Sequence, residues 1–131
     1  MYELSKPKLL CIDDDPAVTT AISTRLSQFE IDVQTAFFGE QGVWLAVTEL
    51  PQVIITDMRM PNGGGDFVVE CLKSRTDTCH IPVIVLTGVQ DDEMQRWMLT
   101  LGVEHYLYKP ICMRKLLSTL EMYVDLPCRK G

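Results

Sequence analysis

Short apolar runs recur along the chain, each followed by a polar break and then by apolar residues at helical spacing. Lys8 to Ile12 (KLLCI), Ile31 to Ala36, Val53 to Thr56 (VIIT), Pro82 to Leu86 (PVIVL) and His105 to Tyr108 are too short for helices and read as strands. Between the first two, Val18, Ile22, Leu26 and Phe29 form one apolar stripe, which predicts an amphipathic helix. Asp15 as N-cap and Pro16 at the first helical position mark its start. Further helices are predicted over Gly39 to Thr48, Phe67 to Lys73, Asp91 to Leu101 and about Cys112 to Val124, with Gly102 as a C-cap. Their expected inward faces are Val43, Leu45, Ala46 and Val47; Val68, Val69 and Leu72; Met94, Trp97, Met98 and Leu101; and Met113, Leu116, Leu117, Leu120 and Val124. Trp97 and Met98 are read as core-facing rather than as a stripe for a partner.

Regular alternation of strand and helix, without repeats or low-complexity tracts, calls for an α/β fold with a parallel sheet covered on both faces. Right-handed crossovers make the flavodoxin-like, doubly wound (βα)5 arrangement with strand order 2-1-3-4-5 the natural one. Residues 1–125 are expected to form one domain, and residues 126–131 a tail or the start of a linker.

Composition narrows the class. A chain of 131 residues, 47% hydrophobic and 23% charged, describes an ordinary globule. Its net charge of -6, with no run of Lys or Arg, leaves no electrostatic footprint for nucleic acid, so direct DNA binding by this stretch is not expected. There is no signal-peptide pattern and no long apolar stretch, which predicts no membrane span and a cytoplasmic location. The five cysteines are scattered without a C-x-x-C pair, as reduced thiols are. His80 and His105 stand alone, which speaks against zinc.

The chemistry lies where the strands end. In a parallel sheet every carboxyl end points the same way, and α/β sheets place their ligands on that rim. Asp13 and Asp14 follow the first strand, Asp57 the third, Thr87 the fourth and Lys109 the fifth. A pair of carboxylates about 4 Å apart costs on the order of 4 kcal/mol at an effective dielectric of 20, so an ionised cluster demands a cation. Lys109 supplies one charge, and hard oxygen ligands without His or Cys suit Mg²⁺. A carboxylate nucleophile, a magnesium ion, a lysine and a hydroxyl are the parts that stabilise a transferring phosphoryl group.

The motifs CIDDDP, ITDMRMP, VLTG and YLYKP, in this order and at spacings fitting five βα units, make the chain resemble a CheY-like response-regulator receiver domain of two-component signalling over nearly its whole length. The resemblance implies that Asp57 is the phosphoacceptor, taking its phosphoryl group from a sensor histidine kinase, a phosphotransfer protein or a small donor. It implies that Asp13 and Asp14 bind Mg²⁺ together with Asp57 and the backbone carbonyl of Arg59. Thr87 matches the hydroxyl that moves to the phosphoryl group, Lys109 the ammonium that pairs with it, and Tyr106 the aromatic switch residue. The Lys109–Pro110 bond is expected to be cis. The surface of the fourth helix, fifth strand and fifth helix is then the face read by an output domain or partner. Such a domain acts on its own phosphorylation and is not a turnover enzyme.

Some positions depart from the family pattern. Asp15 is a third acid, read as the helix cap rather than a metal ligand. Arg59 and Val89 stand at positions that in the family flank the approach of the hydrolytic water, so the resemblance implies slow autodephosphorylation; the bland alternative is that Arg59 points to solvent. Tyr108 is bulkier than usual, placed either on the output face or in a packing gap. The triple glycine Gly63 to Gly65 replaces the usual single one, of which Gly65 is the expected counterpart. Two other classes compete. One is a phosphorylation-independent pseudo-receiver acting as an adaptor, against which the retained acids, Thr87 and Lys109 speak. The other is an aspartyl phosphohydrolase of the haloacid-dehalogenase kind, which Asp13-x-Asp15 matches only loosely.

Overall fold

The computed structural model describes residues 6–129. Strands and helices alternate as β1 (Lys8–Ile12), α1 (Pro16–Leu26), β2 (Asp32–Ala36), α2 (Gly39–Glu49), β3 (Val53–Thr56), α3 (Gly65–Lys73), β4 (Val83–Thr87), α4 (Asp92–Leu101), β5 (His105–Tyr108) and α5 (Met113–Leu120). All strand pairings within the sheet are parallel, and the order is β2-β1-β3-β4-β5, the doubly wound arrangement expected from the alternation.

Side-chain alternation along each strand divides the core in two. Leu9, Cys11, Ile55 and Ile84 point toward α1 and α5, where Ile22, Leu26, Leu116 and Leu120 cover them. Leu10, Ile12, Ile54 and Val85 point the other way, toward Ala46, Val69, Leu72 and Met98 of α2, α3 and α4. The strands are apolar almost throughout because both faces are covered, as in other buried parallel sheets.

Local signals set the helix ends. The Asp15 carboxylate accepts from the Ala17 N–H at 2.9 Å, and Asp91 caps α4 by accepting from the Met94 N–H at 3.1 Å. Gly102 closes α4 at φ 108, in the left-handed region that only glycine adopts freely. The β2–α2 and β3–α3 loops touch backbone to backbone. Glu40 N–H donates to the Asn62 carbonyl at 2.9 Å, and a Cβ on Gly39 would fall 2.0 Å from the Gly63 carbonyl oxygen.

Three expectations need correction. Trp97 is 41% exposed rather than core-facing, because α4 rests on a narrow line through Met94, Met98 and Leu101, leaving the indole at its margin. On α2 only Ala46 of the expected apolar face is fully buried, with Val43, Leu45 and Val47 half-buried around it. The last helix stops at Leu120, although turn bonds carry the chain on to a buried Val124, whose N–H donates to the Leu120 carbonyl at 3.0 Å.

Beyond Val124 the chain doubles back along the α1–β2 turn. The Glu30 N–H donates to the Pro127 carbonyl at 2.9 Å and the Arg129 N–H to the Gln28 carbonyl at 2.7 Å, around an antiparallel bridge between Phe29 and Cys128. Residues 1–5 of the expected domain and Lys130 and Gly131 of the expected tail lie outside the described residues.

Candidate functional site

Strand register builds the site. Ile12 is paired with Thr56, and the Asp57 N–H donates to the Ile12 carbonyl at 2.9 Å, so the acids that follow β1 and β3 emerge side by side. Thr87 is paired with Tyr108, and the Lys109 N–H donates to the Thr87 carbonyl at 2.8 Å. The fifth strand therefore delivers its lysine to the same rim. The peptide bond between Lys109 and Pro110 is cis.

At the centre is the Lys109 ammonium. Its Nζ lies 2.9 Å from Asp13 Oδ2 and 3.0 Å from Asp57 Oδ2. The other Asp57 oxygen, Oδ1, accepts from the Met58 N–H at 2.6 Å, and Asp13 Oδ1 accepts from the Asp15 N–H at 2.9 Å. Both carboxylates are buried, Asp13 at 2% and Asp57 at 7% exposure. Asp14 is exposed and makes no hydrogen bond or ion pair among the described residues.

Burial pushes the Asp13 carboxyl above its ordinary range, against the hydrogen bonds it receives from Lys109 and Asp15. Burial alone would lower the Lys109 ammonium, but its bonds to Asp13 and Asp57 outweigh that and hold it above the usual lysine value. Beneath them, burial raises the Cys11 thiol to about 12, which keeps it protonated and unreactive.

Carboxylate oxygens of Asp13, Asp14 and Asp57 all lie within 4.8 Å of one another. Opposite ligands of an octahedral Mg²⁺ are about 4.2 Å apart, so modest side-chain rotation would bring these oxygens onto one ion. The donor set is oxygen only, and two of its three charges are already shared with a single ammonium. The cluster can thus hold a hard divalent cation.

Thr87 is fully buried; its hydroxyl accepts from the Val89 N–H at 3.3 Å and makes no bond to Asp57 among the described residues. Arg59 is exposed on the loop after Asp57. It joins Met58, Asp66, Val89, Asp91, Met94 and Tyr106 around a cavity of about 230 Å³, whose wall begins at Met58, the residue after Asp57. Burial in that wall raises the Tyr106 hydroxyl above its usual pKa. Two features had no signal in the sequence. One is the Met58 N–H on Asp57, since any residue supplies a backbone donor. The other is a hydrogen bond from the Tyr108 hydroxyl to Gln95 Oε1 at 2.5 Å, which joins side chains from two elements.

Comparison with known proteins bears on the family and the fold. Over 114 residues the chain is 33% identical to hybrid signal transduction histidine kinase D of Dictyostelium discoideum, a match covering 87% of this chain and 7% of that protein. Over 112 residues it is 34% identical to the DNA-binding dual master transcriptional regulator RpaA of Synechocystis, covering 86% of this chain and 46% of the relative. The structure of the Vibrio cholerae chemotaxis protein CheY4 superposes with a TM-score of 0.82 at 26% identity, over 90% of this chain and 98% of that one. The chain spans less than half the length of the two curated relatives. The family model of the response regulator receiver domain matches residues 9–121, and the chain belongs to that family. Members are signalling modules of two-component systems whose general role is phosphorylation-dependent switching.

Proposed function

We propose that Asp57 is the phosphoacceptor of a magnesium-dependent switch, fed by a sensor histidine kinase or a phosphotransfer protein. The observation that carries this reading is the Lys109 ammonium bridging Asp57 at 3.0 Å and Asp13 at 2.9 Å on the sheet rim. An Asp57 carboxylate oxygen attacks the phosphorus of a phosphohistidine or a small phosphodonor. A new O–P bond forms as the bond to the leaving group breaks, and the leaving group departs with the electron pair; a histidine imidazole takes up a proton from solvent, whereas a carboxylate leaving group remains ionised. Asp13, Asp14, Asp57 and the Arg59 carbonyl would hold Mg²⁺, which neutralises charge on the transferring group. Lys109 exchanges its bond with Asp57 for one with a phosphoryl oxygen. Thr87 turns its hydroxyl from the Val89 N–H toward the same group.

Phosphorylation adds nearly two negative charges. As Thr87 and Lys109 close on them, Tyr106 packs inward and the α4–β5–α5 surface changes for its reader. That reader is an output domain or partner protein, as the transcriptional regulator among the relatives suggests. Residues 1–125 act as the receiver and residues 126–131 as a tail or the start of a linker, and the domain works in the cytoplasm without touching DNA itself.

Acetyl phosphate with Mg²⁺ tests the reading. The intact mass should rise by one phosphoryl group, and Asp57→Ala or a chelator should abolish the gain. No modification of the wild type, or modification that persists in Asp57→Ala, would favour a phosphorylation-independent adaptor.

A further inference from the structure

The side chain of Tyr108 is committed twice. Its hydroxyl donates to Gln95 on α4 at 2.5 Å, and its ring meets that of Tyr106 edge to face, with centroids 5.5 Å apart and planes at 63°. Its backbone lies beside Thr87 in the β4–β5 register, one residue before Lys109. Tyr108 therefore touches α4, the Tyr106 ring and the strand end that carries the site.

Tyr106 lines the cavity of about 230 Å³ that Met58 and Arg59, the two residues after Asp57, also line. A cavity of about 150 Å³ accommodates benzene, so there is room for a phenol ring to turn inward. What opposes that turn is the edge contact with Tyr108, and what keeps Tyr108 in place is Gln95. We propose that the Tyr108–Gln95 pair is a latch that holds Tyr106 and α4 in the resting arrangement and sets how readily the pocket switches. Tyr108 is a positioning residue: it touches no reacting atom and acts through Tyr106. The inference rests on the phosphoryl-switch reading above.

A ligand that prefers the switched state binds more tightly when the resting state loses support. Beryllofluoride with Mg²⁺, a stand-in for the aspartyl phosphoryl group, is the probe, and calorimetric titration gives its affinity. Tyr108→Phe removes the hydroxyl and keeps the ring; Gln95→Ala removes the acceptor on a helix surface. Loss of one neutral hydrogen bond from the resting state tightens binding by roughly fivefold. Each variant should show that gain, and the double variant should show no more than either alone, because both break one bond. Thermal unfolding of each variant verifies the fold, and a merely structural role would lower the midpoint without tightening the probe. Unchanged affinity, weaker binding or multiplicative gains would overturn the latch. If the wild type does not bind beryllofluoride, or Asp57→Ala binds it equally, the phosphoryl reading falls and the latch falls with it. Asp57-dependent binding that is the same in all latch variants overturns the latch alone.

Discussion

Replacing Asp14 by Asn should stabilise the protein in a chelator and weaken it in magnesium. Of the clustered acids, Asp13 and Asp57 share the Lys109 ammonium, whereas Asp14 has no partner among the described residues. With carboxylate oxygens up to 4.8 Å apart, a charge pair is worth about 1 kcal/mol in water and about 3.5 kcal/mol at an effective dielectric of 20. Attraction from Lys109 offsets about one of the two repulsions on Asp14, and exposure favours the lower figure. Removing the charge should then yield about 1 kcal/mol, a rise of roughly 3–5 °C in midpoint for a domain of this size. Magnesium reverses the order. A site with a Kd of about 1 mM gains ~1.4 kcal/mol at about 10 mM ion, most of which the variant forgoes. Thermal unfolding by circular dichroism, in chelator and in MgCl₂, reads both effects. A midpoint difference of the same sign and size in the two buffers would refute the shared-ion geometry.

Gly39→Ala should cost at least about 2 kcal/mol in urea unfolding, because its methyl group would meet the Gly63 carbonyl oxygen at 2.0 Å; a neutral result would mean the two loops slide apart freely. Lys109→Gln should lower stability in chelator by an amount constant from neutral pH to about 10. The folded-state pKa of Lys109 is raised, so its contribution is fully present below the ordinary value of about 10.5 and fades as pH climbs through the raised one. A gap that instead narrows between pH 7 and 9 would contradict this. Arg59→Ala and Val89→Glu should each speed loss of the aspartyl phosphoryl group several-fold, since Arg59 and Val89 line one cavity with Met58, the residue after Asp57; unchanged rates in both remove their water-excluding role. Ile54→Ala, emptying a fully buried position of the central strand, should cost about 2–5 kcal/mol, measurable as a lower denaturant midpoint at constant slope.

Much of the site was legible because parallel strands make sequence position into spatial position. Asp13, Asp57, Thr87 and Lys109 each stand at the end of an apolar run, and the sheet needs only its order to gather them. Helical faces were harder to read. Trp97 falls at helical spacing from Met94 and Leu101, yet a helix lying on a sheet buries only a narrow line, and a large ring one step off Met98 stays at the edge. Trp44 of α2 lies at the same kind of margin and is largely exposed. Contacts between distant side chains left no periodic trace, so neither the bond between Tyr108 and Gln95 nor the pairing of Cys128 with Phe29 was visible. The apolar face of α5 extends past the helix to Val124 because a turn can continue a stripe that its hydrogen bonds no longer carry as a helix.

The antiparallel pairing of residues 127–129 with the turn before β2 decides where tension is borne. A pull on the chain beyond Arg129 loads the bonds to Gln28 and Glu30 first, at the base of the sheet and far from the acidic rim. Tethering the protein by that end, to a surface or to another body, leaves the mouth of the pocket unobstructed and shields α5 from strain.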